Sequence, residues 1–338
     1  MINEKSKISG VGLGLKRELI PQIKAQYGDT DIPDHSIANI NFVEIAPENW
    51  IGAGGKAAAD LAWFVERYPI ACHGLCLSLG GPDPLNTGFL KQVKAFLSVN
   101  NIPLYTEHLS YCSDIQHGQA GYLYDLLPIP FTEEAVKYVA QRIRQTQDIL
   151  GQRIAVENTS YYASAPISSM DEITFLNAVL TEADCDLHLD LNNIYVNSVN
   201  FGFDANEFLR GIPAERIVYS HVAGHHQQTK NLLIDTHGED ITDPVWTLLQ
   251  TAYELFGAFP TLLERDNNIP PLPTLMLEVN KIAEFQAKYA RQPHYAWELA
   301  WVSALSTSIH RAHSQPKGQQ KTSQGWWRAH GGVPRNCV

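Results

Sequence analysis

Eight short apolar runs, most of them rich in β-branched residues, punctuate residues 8–305 of this chain. They are Val11–Leu15, Asn41–Ala46, Ile70–Gly74, Leu104–Leu109, Arg153–Asn158, Asp186–Leu191, Arg216–Ala223 and Thr261–Glu264. Short runs of this kind read as buried β-strands. Between most of them the apolar positions change to helical spacing, which predicts helices over Ala57–Tyr68, Thr87–Val99, Thr132–Gly151, Asp171–Thr181 and Pro244–Phe256. Met276–Ala290 and Pro293–Arg311 predict a late helical pair. The best-marked helix is Thr132–Gly151. Thr132 suits the N-cap, Glu133 and Glu134 suit the positive end of the helix dipole, and Gly151 suits the left-handed position after the last turn.

Strands alternating with helices imply parallel β/α units, and eight of them imply a closed TIM (β/α)8 barrel rather than an open doubly wound sheet. No G-x-G-x-x-G follows the first strand. Gly10-Val11-Gly12-Leu13-Gly14 lies inside the strand pattern and reads as a packing or turn feature. Residues 1–312 are expected to form one barrel domain. Residues 313–338, with Trp326-Trp327 among Gln, Gly, Ser and Lys, read as a basic, flexible tail.

Composition narrows the function. The net charge is −11, and from Ser306 onward there are five Lys/Arg and no Asp/Glu, so the rest of the chain carries −16. That balance argues against a nucleic-acid or anionic-membrane partner. No apolar run approaches the roughly 20 residues of a spanning helix. The N-terminus is polar and lacks a signal-peptide core, so a cytoplasmic location is expected. The five cysteines (Cys72, Cys76, Cys112, Cys185 and Cys337) are odd in number and form no C-x-x-C, which fits a reducing compartment.

The chemistry sits where the apolar runs end. His73, His108, Glu157, Asp190, Asn192, His221, Asp235, His237 and Glu264 lie at or just beyond the ends of the predicted strands. Side chains at those ends converge on one mouth of a barrel. Asp190 and Asn192, two apart, are expected to share a strand face, with His188 on that face deeper in the barrel. So many carboxylates and imidazoles in one place require cations to hold them. The donors are nitrogen and oxygen without sulfur, which suits iron, manganese or zinc. Glu157, central in the strand order, is the natural bridging carboxylate. Glu44, Glu48 and Glu107 read as rim residues or hydrogen-bond acceptors, and His225 and His226 as solvated loop residues, although His225 follows His221 closely enough to support a ligand or meet substrate. The residues alone equally permit a zinc- or manganese-dependent hydrolase or isomerase of the endonuclease IV/xylose isomerase type.

Several ordered segments carry a resemblance. They include Asn41-Phe-Val-Glu-Ile-Ala-Pro-Glu-Asn-Trp50, His73-Gly-Leu-Cys-Leu-Ser-Leu-Gly80, Glu107-His-Leu-Ser-Tyr111 and Asp125-Leu-Leu-Pro-Ile-Pro130. Further on come Glu157-Asn-Thr-Ser-Tyr161, His188-Leu-Asp-Leu-Asn-Asn-Ile-Tyr195, His221-Val-Ala-Gly-His225, Leu233-Ile-Asp-Thr-His-Gly238 and Pro260-Thr-Leu-Leu-Glu-Arg-Asp-Asn-Asn-Ile-Pro270. Over residues 8–290 the chain resembles the DUF692 (UPF0276) family of multinuclear non-haem iron oxidative enzymes. The resemblance implies a barrel related to xylose isomerase and endonuclease IV. It implies two to three iron ions of mixed Fe(II)/Fe(III) state, with O2 as co-substrate. It places one iron on Glu157, Asp190, His221 and Glu264, and gives those four the catalytic role. A second falls on His73, His108 and a bridging Glu157, and a third on Asn192, Asp235 and His237. The implied substrate is a Cys-containing ribosomally made precursor peptide, presented with a peptide-recognising partner protein. Arg265 departs from the family pattern, where an aromatic residue is expected after Glu264.

Overall fold

The computed structural model describes residues 8–28, 34–116 and 119–290. The strands among these residues are β1 (Val11–Gly14), β2 (Phe42–Ile45), β3 (Ile70–Gly74), β4 (Leu104–His108), β5 (Tyr111–Gln116), β6 (Gln119–Leu127), β7 (Ala155–Glu157), β8 (Asp186–Asp190), β9 (Ile217–Val222), β10 (His226–Thr229), β11 (Leu232–Ile234) and β12 (Thr261–Leu263). The helices are α1 (Ile20–Ala25), α2 (Gly55–Arg67), α3 (Thr87–Val99), α4 (Glu133–Leu150), α5 (Glu172–Ala183), α6 (Leu191–Phe201), α7 (Ala205–Arg210), α8 (Asp243–Phe256) and α9 (Leu272–Tyr289). Eight strands close a parallel barrel in the order β1-β2-β3-β4-β7-β8-β9-β12, with β12 pairing back to β1. All eight match the predicted runs. The chain is a TIM barrel, as its alternating pattern implies.

Two antiparallel hairpins interrupt the β/α rhythm, β5–β6 after β4 and β10–β11 after β9. Both leave from the C-terminal ends of barrel strands and thus flank the mouth. The helix signals hold locally. Thr132 caps α4 by accepting from the Ala135 N–H at 3.2 Å, and Gly151 ends it at φ 75°. Asp171 caps α5 through the Thr174 N–H at 2.9 Å and so lies just outside the helix it was expected to start. Helix α9 begins four residues earlier than expected, with a proline in its first turn, where no N–H is needed. The predicted helix Pro293–Arg311 and the tail 313–338 lie outside the described residues.

The barrel interior is layered. Residues two apart on a strand share a face, so each inward strand end has an inward residue beneath it. Phe42, Ala71, Tyr219 and Leu262 form a small buried cluster of their own. Gly12 of β1 has no Cβ because the Phe42 ring occupies that space. Two positions further along these strands come Glu44, His73, His221 and Glu264. An apolar plug therefore closes one end, and a polar layer sits above it facing the mouth. Outside the strands, Leu13, Val43, Leu187 and Leu189 pack against the helices in the main core.

Candidate metal centre

Strand register sets the neighbours. Glu157 pairs with His108 on one side and His188 on the other, and Asp190 pairs with His221. In parallel strands such partners point the same way, so five polar side chains are delivered to one space by backbone geometry alone. The remaining candidates come from β3 (His73), the start of α6 (Asn192), the loop after β11 (Asp235 and His237) and the residue following β12 (Glu264).

The candidates gather in overlapping sets. His73 Nε2 lies 3.1 Å from Glu157 Oε2 and 3.1 Å from His108 Nε2, while His108 Nε2 lies 3.4 Å from the same carboxylate oxygen. His221 Nδ1 is 3.0 Å from Glu264 Oε2 and 3.8 Å from Asp190 Oδ2. His237 Nε2 is 2.6 Å from Asp235 Oδ1, which also accepts from Asn192 Nδ2 at 2.7 Å. Donor atoms of His73, His108 and Glu157 fall within 4.8 Å of one another, as do those of Glu157, His188 and His221, of Glu44, His221 and Glu264, and of Asp190, His237 and Glu264. All nine sequence candidates thus reach one connected cluster. No cysteine joins these sets among the described residues. Cys72 is buried on the face of β3 opposite His73.

Four details sharpen the sequence reading. Asn192 is not on a strand, because Asp190 caps α6 through the Asn193 N–H at 2.6 Å and the chain turns helical at once. Asn192 still reaches Asp235, but its Oδ1 is engaged by His225 Nδ1 at 2.8 Å. His225 is therefore buried rather than solvated. Of its two expected readings Glu44 takes the acceptor's: it is buried and accepts from Tyr219 and His221. His188 lies where expected but joins one of the donor sets, stacked on Tyr219 with ring centroids 4.1 Å apart. The alternation Phe42-Val43-Glu44 carried the signal for Glu44, since Phe42 and Glu44 must share the inward face.

Arg265 also gains a place. It is buried, and its guanidinium donates to the Gly238 carbonyl at 3.1 Å and to Asp240 at 2.7 Å, with Glu278 at 3.5 Å. It ties down the loop that presents His237. His237 has φ 46°, a region side chains with a Cβ adopt reluctantly. Its carbonyl is held by the Asp266 N–H at 2.9 Å, and its Nδ1 faces Asp266 Oδ2 at 3.1 Å.

Electrostatics show what the cluster lacks. Burial disfavours protonation of His73, but the Glu157 carboxylate outweighs it and lifts the pKa to about 9. Burial and the neighbouring His73 push His108 down to about 4. Burial, then the Glu157 charge, drives Asp190 well above the usual carboxylate range. Burial opposes the charge on Glu264, yet His237 and His221 hold it well below that range. Buried Glu157 Oε2, Asp190 Oδ2, Glu264 Oε2, His221 Nδ1, His237 Nε2 and both His188 nitrogens have no aligned hydrogen-bond partner. Each such orphan costs about 1–3 kcal/mol, more when charged. His237 Nε2 and Asp235 Oδ1 are close yet not in line, as expected of lone pairs aimed at a common third point. A cation answers nitrogen lone pairs and carboxylates together, so the residues fit a metal centre of nitrogen and oxygen donors.

Fold and site together define a class: a TIM barrel whose C-terminal mouth carries a buried cluster of imidazoles and carboxylates. Within that class, the family model for the RiPP precursor modification enzyme MbnB/TglH/ChrH matches residues 10–287, and the chain belongs to this family, whose curated relatives carry the name UPF0276. One UPF0276 protein, from Nitrosospira multiformis, is 58% identical over 284 residues, which is 84% of this chain and 95% of that protein. Another, from Pseudomonas aeruginosa, is 46% identical over 285 residues, again 84% of this chain and 95% of that protein. Among solved structures, D-psicose 3-epimerase from Clostridium cellulolyticum H10 superposes with TM-score 0.56 at 10% identity, covering 84% of this chain and 100% of that one. That likeness shows the barrel and nothing of the chemistry. No helix among the described residues is long and apolar enough to cross a membrane.

Proposed function

We propose that this chain is a multinuclear iron-dependent oxidase that uses O2 to modify cysteine residues of a ribosomally made precursor peptide, together with a separate peptide-recognising protein. Membership in a family of precursor-modifying enzymes supports the substrate class. The observation that carries the reading is the set of buried carboxylate and imidazole atoms at the barrel mouth that have no hydrogen-bond partner. On this reading His73, His108 and Glu157 hold one ion, and Asp190, His221 and Glu264 hold a second that Glu157 also approaches. Asp235 and His237, with Asn192 beside them, serve a third. Bound iron would supply the reduction of O2 and the activation of a thiolate, which these side chains alone cannot provide.

The protein's own residues set the stage for that chemistry. The plug of Phe42, Ala71, Tyr219 and Leu262 closes the barrel below the cluster, so a peptide and O2 enter only from the mouth. His237 Nδ1 lies between Asp266 Oδ2 at 3.1 Å and Glu264 Oε2 at 3.4 Å, and its Nε2 faces Asp235 Oδ1. Ser160 and Tyr162, from the loop after β7, fasten Asp235 by its carboxylate at 2.9 Å and its backbone N–H at 2.9 Å. One barrel domain on this account carries the whole centre.

The test is O2 uptake by anaerobically purified, iron-reconstituted protein mixed with its Cys-containing precursor peptide and partner protein. Uptake that requires the peptide, with a mass change confined to a cysteine, is expected. Bound peptide with no O2 uptake and no mass change would defeat the reading.

A further inference from the structure

Beneath the candidate centre, four contacts join two imidazoles through the barrel interior. His73 Nδ1 lies 2.7 Å from Thr106 Oγ1, and Thr106 Oγ1 lies 3.3 Å from the Tyr219 hydroxyl. Tyr219 donates to Glu44 Oε2 at 2.6 Å, and His221 Nε2 lies 2.8 Å from the same oxygen. Thr106, Tyr219 and His221 are fully buried and Glu44 nearly so. No bulk solvent is available to supply a missing partner.

With Glu44 taken as the carboxylate, counting protons sets the direction of every bond. A hydroxyl has one hydrogen to give. Tyr219 gives its hydrogen to the Glu44 carboxylate, so its oxygen accepts from Thr106. Thr106 has then spent its own hydrogen, so its oxygen accepts from His73 Nδ1–H. At the other end, on the same premise, His221 Nε2–H donates to the carboxylate. This is the assignment that satisfies all four contacts. Reversing the Thr106 bond would leave two oxygen lone pairs facing each other across the Tyr219 contact.

We propose that Thr106, Tyr219 and Glu44 form a one-way hydrogen-bonded strut that holds His73 and His221 in opposite tautomers, His73 presenting Nε2 and His221 presenting Nδ1 to the metal centre. The inference rests on the reading of both histidines as ligands and adds positioning residues; Glu44 also falls in a donor set with His221 and Glu264, so Tyr219→Phe is the variant that separates positioning from ligation. The free nitrogens agree with it. His73 Nε2 is the atom nearest Glu157 and His108, and His221 Nδ1 is the atom nearest Glu264 and Asp190. The His188 ring stacks on Tyr219 at an interplanar angle of 21° and meets His221 edge-on at 3.9 Å, which wedges the phenol in place. A hydrogen bond to the far nitrogen of a ligating imidazole fixes its orientation and raises its basicity, and its loss typically weakens metal binding about 10- to 100-fold.

Cobalt(II) affinity, measured by competition with a chromophoric chelator, tests the strut without reference to turnover. Tyr219→Phe and Glu44→Gln are expected to lose about 10- to 100-fold in affinity. Tyr105→Phe is the control: Tyr105 is an equally buried phenol that donates to Glu107 at 2.5 Å, outside the strut, and its variant should bind as the native chain does. Native affinity in Tyr219→Phe, or an equal loss in Tyr105→Phe, overturns the proposal. If His73→Ala and His221→Ala also bind cobalt(II) normally, it is the metal reading that falls, and the strut with it. A second measurement uses the native protein, loaded with zinc(II) and labelled with 15N-histidine. Long-range 1H–15N spectra should show His73 bound through Nε2 and His221 through Nδ1. Coordination of both through the same nitrogen overturns the assignment.

Discussion

Replacing Arg265 by Met removes a guanidinium while keeping an apolar stem in a buried slot. Three contacts disappear, and they are unequal. The Asp240 side chain is 82% exposed, so that ion pair contributes almost nothing. The bond to the Gly238 carbonyl is buried and charge-assisted, worth about 1.5–3 kcal/mol. The Glu278 carboxylate is only 14% exposed and keeps just the Ile241 N–H at 2.7 Å as a strong partner. Burial already raises Glu278, and Arg265 is among the groups that hold it down, so the variant raises it further. The expected total is about 3 kcal/mol, at the low end for unpairing a buried charge. For a domain of this size that lowers Tm by about 5 °C. The loop carrying His237 loses its tie at Gly238, so metal held near Asp235 and His237 should be lost before metal held near His73 and His108. Differential scanning fluorimetry and metal analysis after graded chelation read both effects. A Tm within 2 °C of native (about 1 kcal/mol), or equal metal loss from both regions, would refute the assignment of Arg265 as the clamp of that loop.

Three further outcomes follow from the geometry. Glu157→Gln, which removes the carboxylate shared by two donor sets, should lower iron content by more than Asp235→Asn does; equal losses in elemental analysis would remove Glu157 from the bridging position. Burial raises Glu172 to about 8, against the hydrogen bonds from Tyr161 and Asn197. A folded pKa raised above the unfolded value means stability is present at low pH and lost as pH rises through about 8. Glu172→Gln should therefore gain on the native chain in urea melts between pH 5 and pH 9, and a difference that is flat or moves the other way counts against this. Thr132→Ala removes the cap on α4 and should cost about 1 kcal/mol by the same urea assay, with Thr132→Ser restoring most of it.

Much of the fold was legible because barrel strands are buried on both faces and so read as continuous apolar runs. The site was legible for a related reason: an His, Asp or Glu ending such a run has nowhere to point but the mouth. What escaped depended on contacts distant in sequence. The hairpin β5–β6 lacks clean apolar–polar alternation, so nothing in its sequence marks it as paired. Asn192 was misplaced because Asp190 ends a strand and caps a helix at once, and the strand signal was read one turn too far. His225 is a loop residue, as its sequence reads, and its burial follows only from the contact in which Asn192 accepts its Nδ1–H. Glu44 needed the inward face of β2 to be read two residues at a time. Arg265 reads as a departure from the family pattern, and only the position of Gly238 explains it.

The central claim is that this mouth holds a polynuclear iron centre. Mössbauer and EPR spectroscopy on protein expressed with 57Fe and purified anaerobically test it most directly, with total metal counted in the same sample. The account predicts two or more irons per chain, with ferrous and ferric signals coupled to each other. A single isolated iron, or zinc at full stoichiometry in a natively loaded and active sample, would contradict it.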